Sequence, residues 1–270
     1  MNSTVRVTLL GTGTSTGIPV VGCRCRVCTS DDPRDRRLRC AAYVEAAPEA
    51  GGAVRLVIDT GPDFRQQALT YGVEAVDAVL VTHHHFDHVV GLDDLRPFFF
   101  GNPRPIPIYA SPETAAVLRE MFGYIFRDGT YPGISKLELR EVETGPFVVE
   151  SRYSGGGRVE VTPIPAMHGA LPVLGYRVGR FAYLTDVSAI PEASMPLLEG
   201  LDVLVLDALR RAPHPTHLSL DEATALAWKV GARETYFVHM THSVLHAEED
   251  AALPEGIHLA YDGLVVMVDC

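Results

Sequence analysis

The stretch "VLVTHHHFDHVVGLDDL", residues 79–95, places four histidines and an aspartate within six positions directly after a short apolar run. The apolar run predicts a buried β-strand, and the pattern that follows it is T-H-x-H-x-D-H. Imidazole nitrogens and carboxylate oxygens suit zinc, manganese and iron. His83 and His85 are two apart on an extended segment, so they point the same way and can share one ion. Asp87 and His88 then turn toward a second ion.

A dinuclear centre needs further ligands, and three later segments offer one each at the end of an apolar strand. The segment "TPIPAMHG" contains His168, "FAYLTDVS" contains Asp186 and "ETYFVHMTH" contains His239. A carboxylate between two divalent ions can bridge them at a separation of ~3.5–4 Å. Each of these residues alone would more often be structural. Their shared position after apolar strands is what favours a metal centre.

The composition favours one large hydrophobic core and argues against a nucleic-acid surface. The chain has 270 residues, is 47% hydrophobic and carries a formal net charge of -11. We therefore predict one domain over residues 1–270. Non-specific nucleic-acid affinity comes from Lys and Arg that neutralise phosphates, so the negative charge disfavours such a partner. The apolar stretches are too short for a signal peptide or a membrane span, so we expect a cytoplasmic protein without a membrane partner.

Short β-rich runs recur along the chain, with fewer helices between them. The clearest helices begin at Ser111 and Ser219, where a serine N-cap precedes apolar residues at helical spacing, and Glu222 occupies the capping-box position of the second. Many strands with interleaved helices predict an α/β (α+β) protein in which two packed sheets have helices on the outside. The glycine-rich "GTGTSTG" of residues 11–17 lacks the spacing of a dinucleotide loop, so it does not indicate a nucleotide site.

The order of the metal-binding residues resembles that of the metallo-β-lactamase superfamily, and the resemblance extends over essentially the whole chain. It implies a four-layer αββα sandwich with the ligands on loops along one edge of the two sheets. It also implies two divalent catalytic ions, zinc or manganese, with Asp59 of "VIDTG" supporting the metal loop from behind. By analogy, one ion is held by His83, His85 and His168, the other by Asp87, His88 and His239, and Asp186 bridges them.

Five cysteines are an odd number, and a disulfide framework could not pair off the three that crowd into "CRCRVC" as Cys23, Cys25 and Cys28. In a reducing compartment such clusters usually bind metal. His242 follows His239 by three residues, and three thiolates with one imidazole form a closed tetrahedral zinc site. This arrangement resembles the PhnP-type cyclic phosphodiesterases of the carbon-phosphorus lyase pathway, which implies a structural zinc at these four positions.

His217 lies two residues before the Ser219 helix cap, where the free N–H groups and partial positive charge of a helix N-terminus favour a phosphate. In PhnP-type enzymes and in tRNA 3′-processing endonucleases, a histidine at this place contacts the phosphate and assists the leaving group. In the endonucleases an upstream acid orients that histidine. The resemblance thus implies substrate contact for His217 and an orienting role for Asp207. Arg96, in "GLDDLRPF", is a weaker candidate for phosphate binding, because an ion pair with a neighbouring aspartate is its more common use.

Together these residues predict a dinuclear metal-dependent phosphodiesterase that acts on small substrates, with phosphoribosyl cyclic phosphates and cyclic nucleotides as examples. A hydroxide that bridges the ions is expected to attack phosphorus, His217 to protonate the departing alkoxide, and Asp87 to act in catalysis through the metal. The alternatives are a tRNA-processing nuclease, a pyrroloquinoline quinone biosynthesis-like protein and a non-catalytic zinc-binding scaffold. A homodimer is left open, as is the choice between zinc and manganese.

Overall fold

Two seven-stranded β-sheets form the centre of the computed structural model, which describes residues 4–48, 51–100, 102–127, 133–153 and 155–269. In spatial order, the first sheet consists of β14 (Val265–Asp269), β1 (Thr4–Gly11), β2 (Ala41–Ala47), β3 (Val54–Ile58), β4 (Ala78–Leu80), β5 (Ile106–Ala110) and β6 (Leu137–Glu141). The second consists of β13 (Ile257–Leu259), β12 (Glu234–Val238), β11 (Val203–Asp207), β10 (Phe181–Leu184), β9 (Leu171–Val178), β8 (Arg158–His168) and β7 (Phe147–Glu150).

The helices connect the strands and cover the outer faces of the sheets. The α-helices within the described ranges are α1 (Phe64–Tyr71), α2 (Phe86–Val89), α3 (Pro112–Met121), α4 (Gly123–Phe126), α5 (Leu220–Val230) and α6 (His246–Asp250). The 3-10 helices of the same ranges are Pro33–Asp35, Val90–Phe99 and Glu192–Leu198. No helix in this described part of the chain has the length and apolar character needed to cross a bilayer.

Both predicted helix starts are confirmed by their caps. The Ser111 side chain accepts a hydrogen bond from the Thr114 N–H, and Ser219 and Glu222 form a complete capping box. The predicted helix after Ser111 is nevertheless divided between α3 and α4. The backbone of Phe122 leaves the helical conformation there, immediately before Gly123, and glycine is a poor helix former.

Apolar side chains fill three layers. One core lies between the sheets and includes Val7 and Leu56 from the first sheet and Tyr176 and Val205 from the second. Two further cores pack α1 and α3 onto the outer face of the first sheet and α5 onto the outer face of the second. Burial of this apolar surface stabilises the fold by ~25 cal/mol for each Å² removed from water. The predicted four-layer αββα arrangement of an α/β protein is therefore confirmed.

Strand direction determines where the functional residues can meet. β3, β4 and β5 run parallel in the first sheet, and β10, β11 and β12 run parallel in the second. β8 has the same direction as β10, because both are antiparallel to β9. Parallel strands end at the same edge of a sheet. The residues that follow these strands are thus collected along one edge of the sandwich.

Candidate metal centre

Residues at the ends of four strands form the buried part of the site. Asp59 follows β3, Asp186 follows β10 and His239 follows β12, while His83 comes shortly after β4. Among the non-glycine residues that the structure describes, only Asp59, Asp186 and His239 have positive φ angles, of 61°, 56° and 63°. Such backbone costs ~1–3 kcal/mol per residue. All three strained residues lie where the sequence predicts the centre, which is where strain is expected in a functional site.

The Asp186 carboxylate faces two separate groups of side chains. Its Oδ1 lies 3.9 Å from His83 Nε2 and 4.0 Å from His168 Nε2. Its Oδ2 lies 3.1 Å from His88 Nε2 and 3.3 Å from His239 Nε2. Each oxygen serves a different group, as a bridging carboxylate requires. Donor atoms within 4.8 Å of one another form the sets His83, His85, His168 with Asp186, and Asp87, His88 with His239. We call these seven residues the N/O centre.

The nitrogen atoms that face Asp186 suit divalent ions. The Nε2 atoms of His83, His88 and His239 are buried and have no hydrogen-bond partner among the described residues, and such unpaired groups are rare in proteins. Burial lowers the pKa of His83 well below its usual value, which keeps that imidazole neutral and able to ligate. Burial also opposes charge on His88, but the carboxylates of Asp186 and Asp59 prevail and raise its pKa well above the usual value. The neutral His83 imidazole can bind a metal ion directly. The carboxylates of Asp186 and Asp59 attract positive charge at His88, and an ion would also supply that charge.

Asp59 orients one histidine of each set. Its Oδ2 accepts a hydrogen bond from His88 Nδ1 at 2.7 Å and another from the Thr82 hydroxyl at 2.8 Å. Thr82 Oγ1 in turn accepts one from His83 Nδ1 at 3.0 Å. Both rings therefore carry their proton on Nδ1 and turn Nε2 toward the centre. This geometry is what a supporting role for Asp59 requires.

A second buried carboxylate, Asp207, lies behind two histidines. Its Oδ1 is 3.3 Å from His217 Nδ1 and 3.5 Å from His239 Nδ1. The two imidazole rings stack with their centroids 4.7 Å apart, and His217 Nε2 lies 4.0 Å from Asp186 Oδ1. The structure therefore brings the predicted pair of Asp207 and His217 together beside the N/O centre. It also places Asp207 Oδ1 3.5 Å from His239 Nδ1, a proximity that the sequence did not suggest.

The helix N-terminus next to His217 already has protein acceptors. The Leu220 N–H donates to the Arg210 carbonyl at 3.0 Å, and the Glu222 N–H donates to the Ser219 hydroxyl at 3.3 Å. These two donors are not available to a phosphate, and phosphate binding at the N-terminus of α5 stays a prediction. His217 itself remains as the candidate phosphate contact.

The three cysteines of "CRCRVC" gather around His242. The Sγ atoms of Cys23, Cys25 and Cys28 lie 3.3, 3.5 and 3.6 Å from His242 Nδ1. Zinc bonds of ~2.3 Å to sulfur and ~2.0 Å to nitrogen at tetrahedral angles separate the two atoms by about 3.6 Å, so the spacing fits one tetrahedral ion. The Cys28 N–H donates to Cys25 Sγ and lowers the pKa of that thiol to about 6. We call these four residues the thiolate cluster.

The glycine-rich segment of residues 11–17 supports the site, although the sequence indicated only that it is not a dinucleotide loop. The Thr12 carbonyl accepts a hydrogen bond of 3.1 Å from the N–H of Met240, the neighbour of His239. A Cβ atom on Gly11 would lie 2.0 Å from the backbone oxygen of Arg39. Glycine thus permits the close approach of this segment to Arg39, and the adjacent Thr12 binds the neighbour of His239.

A buried arginine holds the loop that carries His242. The Arg37 side chain is fully buried, donates to the Val244 carbonyl at 2.9 Å and pairs with Asp35 at 3.1 Å. Asp35 Oδ1 also accepts a hydrogen bond from the His246 N–H at 2.8 Å. Breaking a buried pair by removing one partner is strongly destabilising. This pair therefore anchors the loop beside the thiolate cluster.

The N/O centre opens to solvent at His85. This histidine is exposed, and the following Phe86 is 62% exposed at the start of α2. Arg96 is exposed in the Val90–Phe99 3-10 helix, and within the described ranges it forms no ion pair with a neighbouring aspartate. Asp93 instead accepts a hydrogen bond from the Ser135 hydroxyl at 2.6 Å. A phosphate contact by Arg96 stays a prediction.

Comparison with known proteins gives a family and a full-length structural match. A family model described as "Beta-lactamase superfamily domain" matches residues 54–240. A crystal structure described as a new diphosphatase from the PhnP family superposes with a TM-score of 0.89 and 42% sequence identity. The match covers 100% of this chain and 99% of that chain.

Two curated relatives differ in how much of their length this chain spans. An octanoyltransferase of Porphyromonas gingivalis is 41% identical over 98% of this chain, but the match covers only 52% of that protein. A ribonuclease Z of Mycobacterium marinum is 28% identical, and the match covers 91% of this chain and 90% of that protein. The chain therefore spans about half the length of the first relative and most of the second.

Proposed function

We propose that this chain, which belongs to the beta-lactamase superfamily and to its PhnP family, hydrolyses small phosphodiesters, cyclic ones foremost, at a dinuclear metal centre. It is a metal-dependent hydrolase of that superfamily. The N/O centre would hold two ions of zinc or manganese, and the thiolate cluster would hold a structural zinc. When bound, the catalytic ions would activate water near neutral pH and neutralise charge on the phosphoryl oxygens.

The observation that carries this proposal is the position of His217. Its Nε2 lies 4.0 Å from Asp186 Oδ1, and its Nδ1 faces Asp207 Oδ1 at 3.3 Å. A departing alkoxide needs a proton, and a positioned imidazolium is the usual donor. Asp207 would hold this ring and stabilise its charged form. His217 thus suits both contact with the phosphate and protonation of the leaving group, and the reaction needs no serine or cysteine nucleophile.

Asp87 completes the second ligand set. Its Oδ2 lies 3.3 Å from His88 Nε2 and 3.8 Å from His239 Nε2. Burial opposes its ionisation, but these two histidines prevail and lower the pKa of Asp87. The carboxylate is therefore ionised at neutral pH, as a metal ligand must be.

Two relatives define the competing activities. The similarity to a ribonuclease Z favours a tRNA-processing nuclease as the alternative, in which Asp207 and His217 would have the same roles. The formal net charge of -11 disfavours a grip on tRNA. The PhnP-family diphosphatase brings phosphoric anhydrides into the range of substrates. We do not extend octanoyl transfer to this chain, because about half of the Porphyromonas gingivalis protein lies outside the match.

We also propose that residues 1–270 form one catalytic domain. The last strand, β14, pairs with the first, β1, and the core between the sheets draws residues from both halves of the chain. The cytoplasmic location and a homodimer stay predictions.

A substrate screen with protein of measured metal content tests the reaction. The panel comprises cyclic phosphodiesters, linear phosphodiesters, diphosphates and a precursor tRNA, and we expect cyclic phosphodiesters to be hydrolysed fastest. Cleavage of precursor tRNA alone would favour the nuclease. Failure of metal-loaded protein on the whole panel would favour a pyrroloquinoline quinone biosynthesis-like protein or a scaffold.

The role of His217 is tested by its dependence on the leaving group. His217→Ala should slow substrates with alkoxide leaving groups by roughly 10²–10⁴-fold and nitrophenyl diesters far less, because a good leaving group needs little protonation. His258→Ala is the matched control. His258 lies in the edge strand β13 and pairs with Glu234 of the neighbouring strand β12 at 3.1 Å. Equal losses on both substrate types would leave His217 with phosphate binding only.

A further inference from the structure

The two oxygens of the Asp186 carboxylate differ in their hydrogen bonding. Oδ2 accepts a hydrogen bond of 2.9 Å from the Thr185 hydroxyl. An ionised carboxylate can only accept hydrogen bonds, so Thr185 is the donor. Oδ1 accepts no hydrogen bond within the described ranges, and the three imidazole nitrogens that face it are 3.9–4.0 Å away. A protein hydroxyl therefore holds one oxygen of this carboxylate and not the other.

The backbone explains why the side chains of Thr185 and Asp186 can meet. Successive residues of a β-strand point to opposite faces of the sheet, so neighbouring side chains are normally kept apart. Strand β10 ends at Leu184, and Asp186 then has a φ angle of 56°. This left-handed residue interrupts the alternation, and the Thr185 hydroxyl reaches Asp186 Oδ2. The strained backbone at Asp186 thus accompanies a specific contact to a candidate metal ligand.

Thr185 is suited to hold its neighbour in one orientation. The residue is 1% exposed, so water does not compete for the hydroxyl. Its β-branched side chain has few accessible rotamers, which fixes the position of the donor oxygen. A fixed donor on one carboxylate oxygen restricts rotation of the whole carboxylate. Because Oδ2 is held on one side of the centre, Oδ1 is directed to the other side.

A similar arrangement occurs on the other sheet. The sequence "VTH" of residues 81–83 follows β4, and "LTD" of residues 184–186 begins with the last residue of β10. In each, a threonine directly precedes a candidate ligand. Thr82 Oγ1 lies 3.0 Å from His83 Nδ1, and Thr185 Oγ1 lies 2.9 Å from Asp186 Oδ2. Each sheet thus supplies a buried threonine that contacts the ligand next to it in the sequence.

The Thr185 hydrogen bond is on the oxygen that faces one of the two groups of ligands. We call Asp87, His88 and His239 the second ligand set, and His83, His85 and His168 the first ligand set. Oδ2 of Asp186 lies 3.1 Å from His88 Nε2 and 3.3 Å from His239 Nε2, both of the second ligand set. Any loss of the Thr185 hydroxyl is therefore felt first on the side of the second ligand set.

We propose that Thr185 is a positioning residue of the metal centre, whose hydroxyl holds Asp186 Oδ2 toward the ion of the second ligand set. The proposal rests on the metal-binding part of the proposed function and deepens it, because it names the residue that aligns the carboxylate shared by both ions. Removal of a group that orients a metal ligand typically weakens metal binding by roughly 10–100-fold. The loss falls mainly on the second ligand set, since the first ligand set faces the other oxygen.

Two substitutions at Thr185 separate positioning from packing. Thr185→Val keeps the shape of the side chain and removes the hydroxyl, whereas Thr185→Ser keeps the hydroxyl and removes the methyl group. We expect Thr185→Val to weaken zinc binding at the second ligand set by roughly 10–100-fold, and Thr185→Ser to stay within about threefold of the wild type. Thr235→Val is the control, because Thr235 is equally buried but lies within β12, four residues before His239.

Competition between the zinc-loaded protein and a chelator measures the affinities. Anomalous diffraction from zinc in crystals of each variant then identifies the ligand set that loses occupancy. Full affinity in Thr185→Val, equal weakening at both ligand sets, or a loss in Thr185→Ser as large as in Thr185→Val would overturn the positioning role.

Both measurements are made without substrate, so they separate this proposal from the proposed reaction. If the wild type binds two ions but hydrolyses no phosphodiester, the proposed reaction fails, while a selective loss of zinc in Thr185→Val still supports the positioning role. A wild type that binds no ion at the N/O centre would overturn both.

Discussion

The N/O centre and the thiolate cluster share one short loop, yet they differ in how the protein supports their donors. His239 and His242 are three residues apart on that loop. Most donors of the N/O centre are buried, and three histidine Nε2 atoms have no protein partner among the described residues. In the thiolate cluster, Cys23 and Cys25 are only partly buried. Cys23 lies 219 positions before His242, and their donor atoms are already at the spacing of one tetrahedral ion.

This difference indicates that the N/O centre and the thiolate cluster have different roles. An open centre must leave positions on its ions for water and substrate, so side chains such as Asp59 and Asp207 hold the ligands instead. In a closed cluster all four donors would bind one ion. Here that ion would link the segment of Cys23, Cys25 and Cys28 to the distant loop of His242. We therefore expect damage to the N/O centre to appear in chemistry and damage to the thiolate cluster to appear in stability.

The largest effect should come from a ligand of the N/O centre. Asp87→Asn is expected to lower phosphodiester hydrolysis by at least ~10³-fold, because charge stabilisation by the ions is worth several kcal/mol. The melting temperature should stay near that of the wild type, since Asp87 contributes to the site and not to an apolar core. Turnover, metal content and thermal unfolding are measured together, with exposed Asp94→Asn as the control. Normal turnover in a metal-analysed sample would refute the two-metal mechanism.

A residue behind the ligands should have the next largest effect. Asp59→Asn is expected to weaken metal binding by roughly 10–100-fold. Both ions should be affected, because Asp59 reaches His88 directly and His83 through Thr82. Titration with a competing chelator measures the two affinities. Loss of one ion with the other unaffected would show that Asp59 is not a shared support.

The thiolate cluster should respond in the opposite way. Cys25→Ser is expected to lose one tightly bound zinc and to lower activity only indirectly, by loosening His239. If that ion contributes ~3 kcal/mol to stability, the melting temperature should fall by roughly 6–12 °C. Exposed Arg24→Ala in the same loop is the control. Wild-type zinc content and stability in Cys25→Ser would remove the cluster as a metal site. In the wild type, mild chelation should strip the catalytic ions first and leave this zinc.

The smallest effect on activity concerns Asp262, whose side chain contacts Thr12 and Leu38. Asp262 accepts hydrogen bonds from the Thr12 hydroxyl at 2.8 Å and the Leu38 N–H at 2.7 Å. Burial raises its pKa from 3.8 to about 7. The folded state therefore binds a proton more tightly than the unfolded state, and the resulting stability is complete below pH ~4 and is lost as pH rises through ~7. The loss is on the order of 4 kcal/mol.

Comparison with Asp262→Asn isolates this contribution. The variant cannot ionise, so the difference in unfolding free energy between wild type and variant should change with pH across that window. Activity at neutral pH should change little. Exposed Asp221→Asn is the control and should give a difference that is flat with pH. A flat difference for Asp262→Asn as well would mean that the carboxyl is ionised throughout.

The fold and the candidate ligands could be predicted because their signals are local. Closely spaced histidines after an apolar run, and three closely spaced cysteines, identify metal donors from a few consecutive residues. The strands β7, β9 and β13 have weak signals in the sequence for local reasons too. β7 and β13 have only four and three residues, and β9 contains Pro172 and Gly175. A Cβ on Gly175 would lie 2.7 Å from Leu184, so that glycine serves close packing within the sheet.

The supporting contacts could not be predicted because they join residues far apart in the sequence. Nothing near Asp207 indicates that it also faces His239, and nothing near Gly11 indicates that a neighbouring backbone excludes a side chain there. Spacing along the chain identifies donors, whereas the distances between them depend on the packing of the two sheets.

The left-handed backbone at Asp59, Asp186 and His239 bears on the order of events during biosynthesis. Protein hydrogen bonds hold this backbone, among them those from the Asp59 N–H to Leu80 and from the Met240 N–H to Thr12, each 3.1 Å long. The polypeptide itself therefore contributes the hydrogen bonds that shape the cavity. We expect the newly made chain to fold first and to acquire its catalytic ions afterwards, through the opening at His85. Ions acquired in this way would be exchangeable without unfolding, and the ion present in the cell would then depend on the local supply.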